Sequence, residues 1–152
     1  MVLELKRILL AEDSIKDVEL TLAALDEHSL ANEVVVVNDG AEALDYLYCR
    51  GKFKMRTGNH PAVVLLDIKM PKVDGLEVLR TIKKDDNLKT IPVVILTSSR
   101  EERALVESYK LGVNAYVVKP VDFQQFVEAV KKLGAFWAII NEPPPGSVGK
   151  VK

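Results

Sequence analysis

Residues 63–84 read VVLLDIKMPKVDGLEVLRTIKK, and we interpret them as one strand, one loop and one helix. The run Val63–Leu66 is apolar without alternation, which predicts a β-strand that is covered on both faces. Residues 76–84 have helical periodicity and predict a helix. Asp67 directly follows the strand. The segment therefore predicts a β-α unit with a carboxylate at the end of its strand.

The same unit recurs on both sides of this segment. Further apolar runs predict strands at Ile8–Ala11, Val34–Val37, Val93–Leu96 and Ala115–Val118. Helices are predicted for residues 15–25 behind a cap at Ser14, for 41–49, for 101–111, and for 123–140 behind a cap at Asp122. Five such units predict a parallel sheet with right-handed crossovers and helices on both faces. Periodicity leaves the strand order open between flavodoxin-like 2-1-3-4-5 and half a Rossmann fold.

The composition is typical of one globular domain. The chain has 152 residues, 48% of them apolar, which fits a single domain with a sizeable core. Its 21 basic and 22 acidic residues argue against a dedicated nucleic-acid binder, so no direct contact with nucleic acid is expected. No charge-free stretch exceeds ten residues, whereas a membrane span needs about 20. With one cysteine, Cys49, these features favour a cytoplasmic protein that does not enter the membrane.

Polar side chains stand where four of the five predicted strands end. Glu12 and Asp13 follow strand 1, and Asp67 follows strand 3. Thr97 follows strand 4, and Lys119 follows strand 5. In a parallel sheet these strand ends share one edge, where ligands bind. The order 2-1-3-4-5 would make strands 1 and 3 neighbours and bring the three carboxylates together.

Three neighbouring carboxylates repel one another unless a cation lies between them. Oxygen ligands suit Mg²⁺, which usually takes one or two carboxylates together with phosphate oxygens. A nucleophilic carboxylate, a metal ion and a lysine form a set that is suited to phosphoryl transfer. The residues therefore predict a Mg²⁺-dependent site at which a carboxylate attacks phosphorus.

Four short motifs resemble those of response-regulator receiver domains. They are Ala11-Glu12-Asp13-Ser14, the acceptor segment Leu65–Gly75, Leu96-Thr97-Ser98 and Tyr116–Pro120. They occur in the family's order, and the resemblance covers about residues 5–140. Residues 136–145 look like those of small stand-alone receivers linked to bacterial phytochromes. The resemblance implies a flavodoxin-like α/β fold of five β-α units, with the parallel strand order 2-1-3-4-5.

The resemblance also implies which residues hold the metal ion and the phosphoryl group. Asp67 would be the phosphoacceptor. Asp13 would bind Mg²⁺ directly, and Glu12 would act on the ion mainly through water. The backbone carbonyl of Lys69 would be a further ligand. Lys69 and Ser99 stand at the variable positions that tune self-dephosphorylation in the family.

Roles in switching and loop geometry follow from the same resemblance. Thr97 would donate its hydroxyl to a phosphoryl oxygen, and Lys119 would pair first with the acceptor and then with the phosphoryl group. Tyr116 matches the aromatic switch position. Pro120 matches a proline that often follows a cis peptide bond, and Gly75 would serve the turn before helix 3.

The implied function is that of a response regulator rather than an enzyme, with at most slow self-phosphorylation and self-dephosphorylation. A sensor histidine kinase, of the phytochrome type, would donate the phosphoryl group. Phosphorylation would change the surface of helix 4, strand 5 and helix 5, and a homodimer or another partner would bind there. Val106, Tyr109 and Lys110 are candidate contact residues. The receiver domain would span 1–140 and a Pro-rich tail 141–152, and a fragment of a larger regulator with an output domain after the tail is the alternative.

Two other function classes compete with the receiver interpretation. A Mg²⁺-dependent phosphatase that forms an aspartyl-phosphate would need a second carboxylate two residues after the nucleophile, where this chain has Lys69. A flavin- or nucleotide-binding module would need a Gly-rich or hydroxyl-rich loop after strand 1. Glu12 and Asp13 occupy that loop and would repel phosphate unless a metal intervened.

Overall fold

The computed structural model describes residues 7–26, 33–56, 60–113 and 115–132, in which strands alternate with helices. In chain order the elements are β1 (Arg7–Ala11), α1 (Ile15–Asp26), β2 (Glu33–Val37), α2 (Gly40–Leu47), a 3₁₀ turn (Gly51–Phe53), β3 (Val63–Asp67), α3 (Gly75–Lys84), β4 (Val93–Thr97), α4 (Arg100–Ser108), β5 (Tyr116–Val118) and α5 (Phe123–Lys132). No helix in these ranges has both the length and the apolar character that crossing a membrane requires.

The strands form one parallel sheet of order β2-β1-β3-β4-β5. In the register between β1 and β3, Leu10 lies opposite Leu65 and Ala11 opposite Leu66. This order confirms the flavodoxin-like fold and excludes the half-Rossmann order that periodicity left open. It also brings the carboxyl ends of β1 and β3 side by side.

Strand β3 is buried along its whole length because helices cover both faces of the sheet. Val63 and Leu65 belong to a hydrophobic cluster with residues of α1 and α5. Val64 and Leu66 belong to a second cluster with residues of α2, α3 and α4. All four side chains are fully buried. Successive residues of one strand therefore enter two different cores, which explains an apolar run without polar alternation.

The ends of several elements differ from the prediction. Helix α2 ends at Leu47, and Cys49 beyond it has a φ of 55°, outside the right-handed helical region. Helix α4 ends at Ser108 rather than at residue 111, and β5 begins at Tyr116. Side chains cap all five α-helices of the described residues, because each accepts a hydrogen bond from the backbone N–H three residues on; the caps are Ser14, Asp39, Asp74, Ser99 and Asp122. The predicted caps at Ser14 and Asp122 are thus confirmed. The predicted final turns of helix 5 and the tail 141–152 lie outside the described residues.

The prediction that Val106 is a surface contact was wrong. Its side chain is 1% exposed and packs in the core with α2 and α3. Glu102, four residues earlier, is also buried, so these two residues mark the inward face of α4. Tyr109 and Lys110 are exposed as predicted, and Leu105 is exposed beside them.

Candidate functional site

The three predicted carboxylates come together at the carboxyl edge of the sheet. Because β1 ends beside β3, Glu12 and Asp13 lie next to Asp67, and one carboxylate oxygen from each lies within 4.8 Å of the others. The Glu12 N–H donates to the Val37 carbonyl oxygen at 3.0 Å, which continues the β1–β2 ladder and fixes the Glu12 backbone. Glu12 and Asp67 are buried, whereas Asp13 is exposed.

Lys119 reaches this cluster from the end of β5, the edge strand of the sheet. Its backbone N–H donates to the Thr97 carbonyl oxygen at 2.8 Å, just beyond β5. Strand β5 is two strands away from β3, about 10 Å at the usual strand spacing, so a long side chain is needed. The ammonium lies 3.1 Å from an Asp67 oxygen and 3.2 Å from a Glu12 oxygen. It also lies 3.2 Å from Asp17, a residue for which no site role was predicted.

The electrostatics of the cluster follow from burial and like charge. Burial, and then the charge of Asp67, raise the pKa of Glu12 to about 7, against the opposing charge of Lys119. Burial also raises the pKa of Asp67, although the charge and hydrogen bond of Lys119 act in the opposite direction. Burial alone would lower the pKa of Lys119, but the charges of Asp67 and Glu12 outweigh it and raise that pKa. One ammonium therefore does not compensate the carboxylates.

This donor set fits a hard divalent cation. The converging atoms are carboxylate oxygens, the ligands that Mg²⁺ and Mn²⁺ prefer. A second positive charge would offset the burial and the like charge that raise the pKa values of Glu12 and Asp67. The exposure of Asp13 leaves one side of the cluster open to water, which Mg²⁺ retains when it binds.

The loop between β3 and α3 approaches Asp67 closely at Gly75. The Gly75 N–H donates to the Ile68 carbonyl oxygen at 2.8 Å. A Cβ atom at Gly75 would lie 2.0 Å from the Asp67 carbonyl oxygen and 2.8 Å from the Ile68 Cα. Gly75 is already the first residue of α3, with Asp74 as the cap. Glycine is required here because the loop packs against the end of β3, rather than for a turn conformation.

Thr97 lies on β4, the strand next to that of Asp67, and Tyr116 lies on β5, one strand further. Thr97 ends β4, is 2% exposed and pairs with Val118 of β5. Tyr116 begins β5 and is half-buried, and its hydroxyl donates to the Val113 carbonyl oxygen at 3.3 Å. The Arg103 guanidinium of α4 lies 4.5 Å from the centre of the Tyr116 ring. Tyr116 thus links β5 to α4.

Two further residues bear on the site. The peptide bond between Lys119 and Pro120 is cis. The ammonium of Lys69 lies 3.6 Å from an oxygen of Glu102, across the mouth of the loop after β3. The structure therefore gives the Lys69 side chain a partner on α4, whereas the role of its backbone carbonyl as a metal ligand stays a prediction.

Sequence reasoning missed the roles of Asp17 and Glu102 near the site. Asp17 stands three residues after the predicted cap Ser14, and its contact with Lys119 spans 102 positions of the chain. Glu102 accepts hydrogen bonds from the N–H and the hydroxyl of Ser98, the residue after Thr97. The pattern Ser99-x-x-Glu102 is a capping-box signal that could have identified Glu102. No local signal points from Asp17 to Lys119.

Comparisons with known proteins agree with this architecture. A structure described as that of the bacteriophytochrome response regulator AtBRR is 64% identical, with a TM-score of 0.86, and the match covers 91% of this chain and 99% of that chain. The response regulator Rcp1 of Synechocystis sp. is 37% identical over 87% of this chain and 88% of its own length. The manganese-bound form of Rcp1 has a TM-score of 0.68 at 34% identity, covering 97% of this chain and 99% of that one.

A phosphorylated relative is also similar. The phosphorylated cyanobacterial phytochrome response regulator RcpA is 41% identical with a TM-score of 0.70, and the match covers 88% of this chain and 94% of that chain. The family described as the response regulator receiver domain matches residues 8–131 of this chain. This match spans most of the chain, and the fold and the strand-end residues described above agree with it. The chain therefore belongs to the response regulator receiver family of two-component signalling.

Proposed function

We propose that Asp67 accepts a phosphoryl group in a Mg²⁺-dependent reaction and that a sensor histidine kinase, of the phytochrome type, is the donor. The observation that carries the proposal is the ammonium of Lys119, 3.1 Å from a buried Asp67 oxygen and within the same carboxylate cluster. Similarity to bacteriophytochrome response regulators supports this class of donor. Phosphorelay chemistry and the single cysteine favour a cytoplasmic location, which stays a prediction.

In the proposed reaction a carboxylate oxygen of Asp67 attacks phosphorus. The new O–P bond makes an acyl phosphate, the P–N bond to the donor histidine breaks, and the imidazole nitrogen leaves with the electron pair. Lys119 and the hydroxyl of Thr97 would then donate hydrogen bonds to phosphoryl oxygens. Because Asp67 is buried, these interactions would act with little competition from water.

Mg²⁺ would be held by Asp13, Asp67 and the Lys69 carbonyl, with Glu12 acting mainly through water. The ion would supply positive charge that offsets carboxylate repulsion and the charge of the phosphoryl oxygens. The manganese-bound form of Rcp1 supports a divalent cation in this family, and the carboxylate cluster supports one here. On this proposal the protein is a response regulator with only slow self-phosphorylation and self-dephosphorylation.

The proposed output is a change at the surface of α4, β5 and α5. Phosphorylation adds charge at the end of β3 and would draw Thr97 toward it, and Tyr116 would turn into the vacated space. Exposed apolar side chains on this surface support a protein contact, including a homodimer, since Leu105, Tyr109 and Val118 are 46%, 45% and 55% exposed. The receiver unit is proposed to span 1–140, with 141–152 as a tail.

Phosphotransfer in Mg²⁺ tests the proposal. A phytochrome-type histidine kinase, first phosphorylated with ATP, is mixed with the wild type, with Asp67→Asn and with Asp86→Asn, and intact mass spectrometry records phosphoryl addition. Asp86 is a matched control because it is a surface aspartate that is 89% exposed. Wild type and Asp86→Asn are expected to gain one phosphoryl group, and Asp67→Asn none. Labelling of Asp67→Asn at the wild-type level would refute the assignment of the acceptor.

A further inference from the structure

We infer that Asp17 is a positioning residue of this site, which holds the Lys119 ammonium and competes with a phosphoryl group for it. The inference rests on the proposed function, because the competing ligand is the phosphoryl group on Asp67. On this inference, Asp17 weakens the binding of phosphoryl-like anions.

The Lys119 ammonium is held by acidic side chains. Three carboxylates surround the ammonium, at 3.1 Å for Asp67 and 3.2 Å for both Glu12 and Asp17. An ammonium has three N–H donors, so these carboxylates can engage all of them. A phosphoryl oxygen can pair with Lys119 only when one of these contacts weakens. Asp17, with 31% of its side chain exposed, is the most accessible of the three.

The local structure explains why Asp17 is held in position. Asp17 is the third residue of α1, and its backbone N–H donates to the Ser14 hydroxyl at 3.2 Å. The Ser14 N–H in turn donates to a Glu12 oxygen at 3.2 Å. One short segment thus connects Glu12 and Asp17, and both side chains contact the same ammonium. An acidic residue in the first turn of a helix interacts favourably with the helix dipole. That effect does not account for the ion pair between Asp17 and Lys119, the residue that follows β5.

The negative charge of Asp17 also acts on an incoming anion. The carboxylates of Glu12, Asp17 and Asp67 contact the Lys119 ammonium, and an Asp13 oxygen lies within 4.8 Å of oxygens of Glu12 and Asp67. Asp17 is not among the three whose oxygens converge for a cation. Its charge therefore repels an incoming anion and engages Lys119 without joining the metal cluster. Its removal is expected to free one donor of Lys119 and to make the site less negative.

Fluoroberyllate in Mg²⁺, which resembles a phosphoryl group on a carboxylate, is the probe for the test. Calorimetry compares its affinity for the wild type, Asp17→Asn, Asp17→Glu and Glu19→Gln. Glu19 is a matched control because it is an exposed carboxylate on the same helix. Asp17→Asn is expected to bind fluoroberyllate roughly tenfold more tightly, because a charged hydrogen bond that competes with the anion for Lys119 is removed. Asp17→Glu is expected to restore wild-type affinity, and Glu19→Gln to leave it unchanged.

A second measurement requires no metal. The ¹H–¹⁵N resonance of the Lys119 ammonium is expected to move in Asp17→Asn and to stay in position in Glu19→Gln. Thermal unfolding of each variant separates this effect from a general loss of structure. If Asp17→Asn does not fold, Asp17→Ser, which keeps a hydrogen-bonding side chain in the first turn, serves for the same comparison.

The outcomes distinguish the two proposals. Unchanged or weaker fluoroberyllate binding by folded Asp17→Asn, beside a wild type that binds, overturns the inference and leaves the proposed function intact. A wild type that binds no fluoroberyllate in Mg²⁺ contradicts the proposed function itself. Equal tightening in Glu19→Gln would show a general charge effect and would also overturn the role assigned to Asp17.

Discussion

Replacing Glu12 with glutamine is expected to change how the stability of the metal-free protein depends on pH. The Glu12 side chain is 1% exposed, and burial followed by the charge of Asp67 raises its pKa to about 7. The metal-free site therefore keeps a proton on this carboxyl group until the pH approaches about 7. Glutamine has nearly the shape of that protonated group and cannot lose the proton.

The sign and size of the effect follow from linkage between protonation and folding. In the unfolded chain Glu12 loses its proton near its ordinary pKa of 4.5, whereas the folded protein keeps it up to about pH 7. The stabilisation is complete below pH 4.5 and is lost as the pH rises through 7. At about 1.4 kcal/mol per pKa unit, the free energy of unfolding falls by roughly 3 kcal/mol over this range. The raised pKa of Asp67 acts in the same direction.

Urea unfolding followed by circular dichroism, in EDTA at pH 5, 6, 7 and 8, measures this dependence. Relative to the wild type, Glu12→Gln is expected to gain roughly 2.5 kcal/mol between pH 5 and pH 8, because part of the wild-type loss occurs below pH 5. Glu19→Gln, which removes an exposed carboxylate from α1, serves as the control and is expected to run parallel to the wild type. A wild-type stability that stays level or rises between pH 5 and pH 8 would refute the reasoning.

Three further outcomes are expected. Gly75→Ala should lower the free energy of unfolding by roughly 2 kcal/mol, because the new Cβ meets the Asp67 carbonyl. Gly112→Ala, at a φ of 78° with open space around it, should lower it by only about 1 kcal/mol. Urea unfolding that ranks the two variants the other way would contradict this. Glu102→Ala should lose about 1–2 kcal/mol in thermal unfolding, since two hydrogen bonds from Ser98 lose their acceptor, and an unchanged melting temperature would argue against that role. Millimolar Mg²⁺ should raise the urea midpoint more at pH 8 than at pH 5, because protons compete with the cation, and an equal gain at both values would count against the carboxylate site.

Local sequence patterns predicted most of the fold. The apolar runs around β1, β3 and β4 identified buried strands because helices cover both faces of the sheet, and the strand-end residues could be read directly. The position of Val106 was wrong because its placement depends on which face of α4 meets the core. The end of α2 was also misjudged, since the left-handed conformation of Cys49 is not a property of its residue type.

The sequence by itself determined the alternation of strands and helices and the acid, hydroxyl and lysine groups that follow the strands. Both depend on neighbouring residues, whose periodicity and order are local properties of the chain. Only the tertiary structure decided the strand order, the contact of Asp17 with Lys119 and the need for glycine at position 75. The first two depend on segments far apart in the chain, whose positions are set by how the helices pack on the sheet. The third depends on how the loop after β3 folds back against Asp67 and Ile68.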